Sequence, residues 1–90
     1  MEKHKIDFFE DIDKEQIQSF YHRIANNVAR IRKEKGVSQL ELSLAIGYKS
    51  VSLVAGAEAK YKNIHFNLEH LYKIAQVLQV DIKDFFDETN

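Results

Sequence analysis

The sequence predicts an all-α fold, a compact bundle of five helices, and three observations carry that expectation. Apolar residues recur at steps of three and four along most of the chain. No stretch sustains period-two alternation, apart from a few residues around Ile64 and Phe66. Proline is absent and the linkers between periodic segments are short, as a packed bundle requires.

The elements follow in order. Asp13, with Gln16 three residues on, has the form of a helix cap. Behind it, Ile17, Phe20, Tyr21, Ile24, Val28 and Ile31 draw one apolar stripe that runs without a breaker to Gly36, a natural stop after the basic turn Arg32-Lys33-Glu34-Lys35. Ser38 caps a short second helix, with Glu41 in the capping-box position and Leu40, Leu42, Leu44 and Ile46 following up to Gly47. Ser50 or Ser52 is expected to cap a third helix through Leu53, Val54 and Ala57 to about Ala59. After the polar loop Lys60-Tyr61-Lys62-Asn63, Asn67 caps a fourth helix whose Leu68, Leu71, Ile74, Ala75 and Leu78 face inward. Asp81 caps a final turn holding Ile82, Phe85 and Phe86. Residues 1–21 form an N-terminal extension that lengthens the first helix, and 22–90 a single folded unit.

Ninety residues suffice for one modest core, and 44% hydrophobic with 30% charged residues suits a globular chain. No apolar run approaches the roughly 20 residues of a membrane helix, and no basic-then-apolar leader is present, so a cytoplasmic location is expected. Without cysteine there is neither disulfide nor thiol chemistry, which suits a reducing compartment. The net charge of -1 hides a strong segregation. Residues 1–20 carry three Lys against six acids, residues 21–63 eight Lys/Arg against three acids, and residues 64–90 two Lys against five acids. The balances are -3, +5 and -3, so a central positive patch is available for phosphate.

Within that patch, "SQLELSLAIGYKS" reads as two short helices joined by a tight glycine turn, a helix-turn-helix. Gly47 permits a left-handed corner, the small Ser43 allows close approach of the helices, and Leu42 and Ile46 anchor the pair. From about Ile24 to Phe86, through "RIRKEKGVSQLELSLAIG", Glu58 and "NLEHLYKIAQVLQVDIKDFF", the chain resembles the phage-repressor (Cro/repressor-type, XRE) helix-turn-helix family of DNA-binding proteins. The resemblance implies a repressor-like DNA-binding domain with the third helix in the major groove of double-stranded DNA. It places Ser38 and Gln39 at phosphate, Arg32 in a structural ion pair with Glu58, and Lys60, Lys62 and Asn63 on the DNA backbone.

The third helix departs from the family pattern. Counted from Gly47, the base-reading positions fall on Lys49, Ser50, Val51 and Ala55; counted back from Glu58, on Ser50, Val51, Ser52 and Gly56. One residue has therefore been added. The Glu58 register puts Val54 and Ala57 in the core, and the extra residue is then absorbed at Tyr48-Lys49. In either register no Arg, Asn or Gln points into the groove, so the strongest base readers are missing and a weak base code follows, helped by dimer doubling and DNA shape. Gly56 would let DNA backbone or another helix come close. Tyr48 either meets a phosphate or covers the core.

Leu40 and Leu44 stand where the family has polar residues. With Ile6, Phe8, Phe9, Ile12 and Ile17 of the extension they suggest added burial, the extension folding back onto its own domain. The alternative is a homodimer contact through Phe85 and Phe86 or through the arm. His65 and His70 are five apart, not four, and no acid completes a metal set. No nucleophile–base arrangement or phosphate-cradling glycine loop is present, so neither a cofactor nor an enzyme is expected. A transcriptional regulator binding DNA as a dimer is the reading that results. The alternative is a degenerate helix-turn-helix serving as a protein-interaction module, antitoxin-like or regulatory.

Overall fold

The computed structural model describes residues 12–88. Four α-helices and a 3-10 turn follow one another: α1 Lys14–Glu34, α2 Gln39–Ala45, α3 Ser52–Glu58, α4 Leu68–Leu78 and the turn Ile82–Phe86. The fifth expected helix is thus a single 3-10 turn. None of the described helices is long and apolar enough to cross a membrane.

Most helix ends follow from local chemistry. Asp13 caps α1 by accepting from the Glu15 amide, one residue earlier than a Gln16 box would require. Ser38 and Glu41 form a full capping box on α2, at 3.0 and 2.8 Å. That bond from the Ser38 amide holds the Glu41 carboxyl below its usual range. Asn67 caps α4 in the same way, with His70 as its reciprocal partner. The start of α3 corrects the sequence reading. Its N-cap is Val51, without a side-chain bond, and Ser50 only accepts the Ser52 amide at 3.3 Å. Asp81 likewise stands at the cap of the last turn without a side-chain bond.

The stripes meet in one core: Ile24, Val28 and Ile31 from α1, Leu42 and Ile46, Val54 and Ala57, Phe66, then Leu71, Ile74, Ala75 and Leu78, closed by Phe85. Phe85 is fully buried, a gain of roughly 1.5–3 kcal/mol. This excludes it as a direct dimer contact, because its own α1 and α4 already cover it. Leu68 is the other correction. Expected inside, it is 73% exposed at the first turn of α4, because no described element lies beyond it to cover that edge.

A polar clamp that the periodicity does not reveal holds the terminal turn to the middle of α1. Asn27 is buried on α1, and its amide nitrogen donates to the Phe85 and Asp87 carbonyls at 2.9 and 2.8 Å. The terminal turn therefore docks on α1 with its carbonyls satisfied.

Candidate nucleic-acid interface

The second and third helices are set by the turn between them. Gly47 adopts φ 103°, a left-handed conformation that favours glycine, and nothing crowds the space where its Cβ would be. The Tyr48 amide returns to the Ser43 carbonyl, and the buried Ser43 hydroxyl donates to the Ser50 carbonyl. A larger residue at position 43 would push these segments apart. On the other side of α3, Val54 and Ala57 are buried as the Glu58 register expects.

Glu58 ties α3 to α1. Arg32 donates through Nε to Oε2 and through NH2 to Oε1, each at 2.8 Å, and through NH1 to the Val37 carbonyl. The expected pair is present and closed from water. Gln39 joins it, since its amide donates to Glu58 Oε1 at 2.8 Å. One of its two amide hydrogens is thus directed inward, away from the phosphate role that the resemblance implies.

With its inner side anchored, α3 presents outward its N-terminal end and the residues that lead into it. Lys49, Ser50 and Ser52 are exposed, and Val51 and Ala55 half-buried. The second turn is closed. A Cβ on Gly56 would lie 2.8 Å from Ile64 Cδ1, so the close neighbour admitted by this glycine is the chain's own Ile64, and neither DNA nor another helix. This corrects the expectation for Gly56. The usable surface is therefore about one turn of chain long, from Lys49 to Ser52 at the entry to α3.

Flanking side chains surround that turn. Lys60 and Lys62 take left-handed backbone angles, φ 57° and 53°, which fold the loop back so that Ile64 reaches Gly56. Lys60 Nζ donates to Asn26 Oδ1 at 2.6 Å, which steers its charge alongside α1. Lys62 lies over the Tyr61 ring at 5.2 Å, and Asn63 and Ser38 are exposed. Lys49 and Lys62 form no ion pair with another described residue.

Tyr48 belongs to a second network. Its hydroxyl lies 2.7 Å from His70 Nε2. The Asn67 amide donates to His70 Nδ1, so in the neutral ring the proton sits on Nε2 and is given to the Tyr48 oxygen. Burial holds the His70 pKa below its ordinary value; neighbouring Glu69 opposes this, and Lys73 and His65 add to it. The Tyr48 hydroxyl hydrogen is left to point away from His70, toward solvent.

No group of described residues could hold a metal ion. Residues 12–20 of the extension leave Leu40 and Leu44 at 48% and 52% exposed, so the part that is described does not fold back over them. Ile6, Phe8 and Phe9 lie outside the described residues.

Comparison with known proteins adds one match. A family model described as helix-turn-helix matches residues 28–85, from the middle of α1 to the terminal turn. No curated protein matches the chain.

Proposed function

The chain belongs to the Cro/repressor-type (XRE) helix-turn-helix family of DNA-binding proteins, and from that premise we propose that it is a small transcriptional regulator that reads duplex DNA as a dimer. The observation that carries this reading is the largely exposed turn Lys49–Ser52 leading into an α3 whose other side is anchored by Val54, Ala57 and the Arg32–Glu58 pair. Lys49, Ser50, Val51, Ser52 and Ala55 face the bases. Ser38, Gln39, Tyr48, Lys60, Lys62 and Asn63 grip the sugar–phosphate backbone around them.

Such a surface binds with modest sequence preference. Each bidentate side chain–base pair is worth roughly 1–3 kcal/mol of discrimination, and this turn has only hydroxyls, a lysine and small apolar groups. Positioning contacts to phosphate then carry most of the affinity. Two half-sites read by a dimer multiply the weak code.

The deciding experiment is an NMR titration of the labelled protein with a random-sequence duplex, at low salt and then at ~150 mM, where the Debye length is about 8 Å. Shifts at Ser38, Lys49–Ser52 and Lys60–Asn63 that fade with salt support the reading. Their absence at low salt refutes it.

One observation favours a second reading. Leu40 and Leu44 lie one turn apart on the outer side of α2, each about half exposed, a surface suited to a protein partner. Docking there would barely respond to salt, whereas contact with Z phosphates gives a log–log slope of about -0.9Z.

A further inference from the structure

α1 begins before the body of the domain does. Every residue from Ile12 to Phe20 is exposed, yet Ile17 and Phe20 continue the stripe that carries Ile24, Val28 and Ile31 into the core. The overhang continues an α1 that is already nucleated in the core, and packing of its apolar side would add to its stability. Beside it, α1, the segment leading into α4, α4 and the terminal turn line a groove of about 300 Å³ whose wall is mostly apolar, from Phe20, Tyr21, Ile24, Leu71 and Phe86, with His65 and Asn67 as its polar members. The misplaced leucine, Leu68, is on its rim. An apolar ridge and an apolar groove thus adjoin on one helix.

We propose that this surface is a two-fold interface with a second copy of the chain, in which the N-terminal halves of α1 pack antiparallel and each Ile17 enters the other copy's groove. The charges along α1 favour a second copy. At about 100° per residue, Asp13, Gln16, Phe20 and Arg23 run down one flank of the stripe, and Lys14 lies on the other. A two-fold axis near Gln18 sets like flank against like flank, so Asp13 meets the partner's Arg23 and Phe20 meets the partner's Gln16. Arg23 keeps NH1 on the exposed Glu88 at 2.9 Å and its Nε buried, so the partner's Asp13 is met through NH2, which bonds no other described residue. The charges of this surface are their own complement about the two-fold axis, which an isologous contact demands.

The proposal deepens the dimeric reading of the DNA binder, but its test contains no DNA, so the two can fail separately. Sedimentation equilibrium from low micromolar to millimolar concentration should show a species of about twice the 10.5 kDa of one chain. Ile17→Glu should weaken association by about tenfold or more, because it puts a charge in the apolar contact. It should leave the far-UV circular dichroism of the dilute monomer unchanged, because Ile17 is exposed and is not part of the core cluster. Gln18→Cys, a lone cysteine in a chain that has none, should cross-link two copies through a short bis-maleimide. A monomer at every concentration overturns the proposal, and so does a dimer indifferent to Ile17→Glu. A monomer whose Ile17 is nonetheless shielded from solvent would assign the surface to residues 1–11.

Discussion

Arg32 on α1 and Glu58 at the end of α3 face each other in two parallel hydrogen bonds of 2.8 Å, with only 8% and 7% of their side chains exposed. The pair ties α3 to the longest element of the fold. It draws in Gln39 of α2 and the Val37 carbonyl, so one ion pair sets the relative placement of three helices.

Arg32→Ala should therefore lower stability by about 3 kcal/mol or more, since it leaves Glu58 charged, buried and unpaired. Urea denaturation checks it. A midpoint equal to that of the wild type would show that the pair carries no stability. Arg32→Met with Glu58→Leu should recover most of the loss, because apolar replacement of both partners removes the stranded charge.

Asn27→Ala should cost about 2–3 kcal/mol by leaving the Phe85 and Asp87 carbonyls without their donor. Hydrogen exchange should report faster opening of residues 82–86 than of α2 or α3. Uniform acceleration would mean that the clamp does not act locally.

Acid should weaken the fold through His70. Its folded pKa lies below the ordinary 6.5, so the contribution of the neutral ring is complete above that value and is lost as pH falls through it toward the folded pKa. Protonation of Nδ1 also removes the acceptor for the Asn67 amide. His70→Gln keeps a capping side chain and does not titrate, so its stability should change less than that of the wild type between neutral pH and pH ~5.5. Parallel pH profiles of the two melting temperatures would dismiss the mechanism.

Lys49→Ala with Lys60→Ala should weaken binding of every duplex alike and reduce the salt slope by about 1.8, two phosphates at 0.9 each. A fluorescence anisotropy series in salt measures both. Ser52→Ala should change sequence preference more than overall affinity, and an equal loss on all sequences would remove it from the base-reading set.

Gly56→Ala pits a helix-propensity gain of about 1 kcal/mol against the 2.8 Å approach to Ile64 Cδ1. That methyl is the flexible end of its side chain, so the single substitution should be nearly neutral. Ile64→Val removes the 2.8 Å approach and leaves the milder 3.3 Å approach to Cγ2, so the double variant should be more stable than Ile64→Val alone, as its denaturation midpoint will show.

The all-α architecture, the caps at Asp13, Ser38 and Asn67, the turn at Gly47, the core positions of Val54 and Ala57 and the Arg32–Glu58 pair are legible in the sequence. Each rests on a relation within a few residues, or, for the ion pair, on the family pattern. The cap at Ser50 or Ser52 was not legible, because α3 starts one residue after Val51, which stands at the cap without a side-chain oxygen, and a one-residue difference in helix start decides which side chain can cap. Neither was the Tyr48–His70 contact, whose partners stand 22 residues apart.

By itself, then, the sequence determined which segments are helical, where most of them start and stop, and which family's scaffold they build. Hydrogen bonds and apolar periods repeating every three to four residues are local and can be counted along the chain. Tertiary structure alone decided what each helix does with its remaining surface. It left Leu68 at an open edge, laid Ile64 over Gly56, buried Asn27 against the terminal carbonyls and turned Gln39 toward Glu58. These outcomes depend on which distant segment arrives beside a side chain, and helical periodicity is silent on that, because the same spacing serves a core, a groove or a partner.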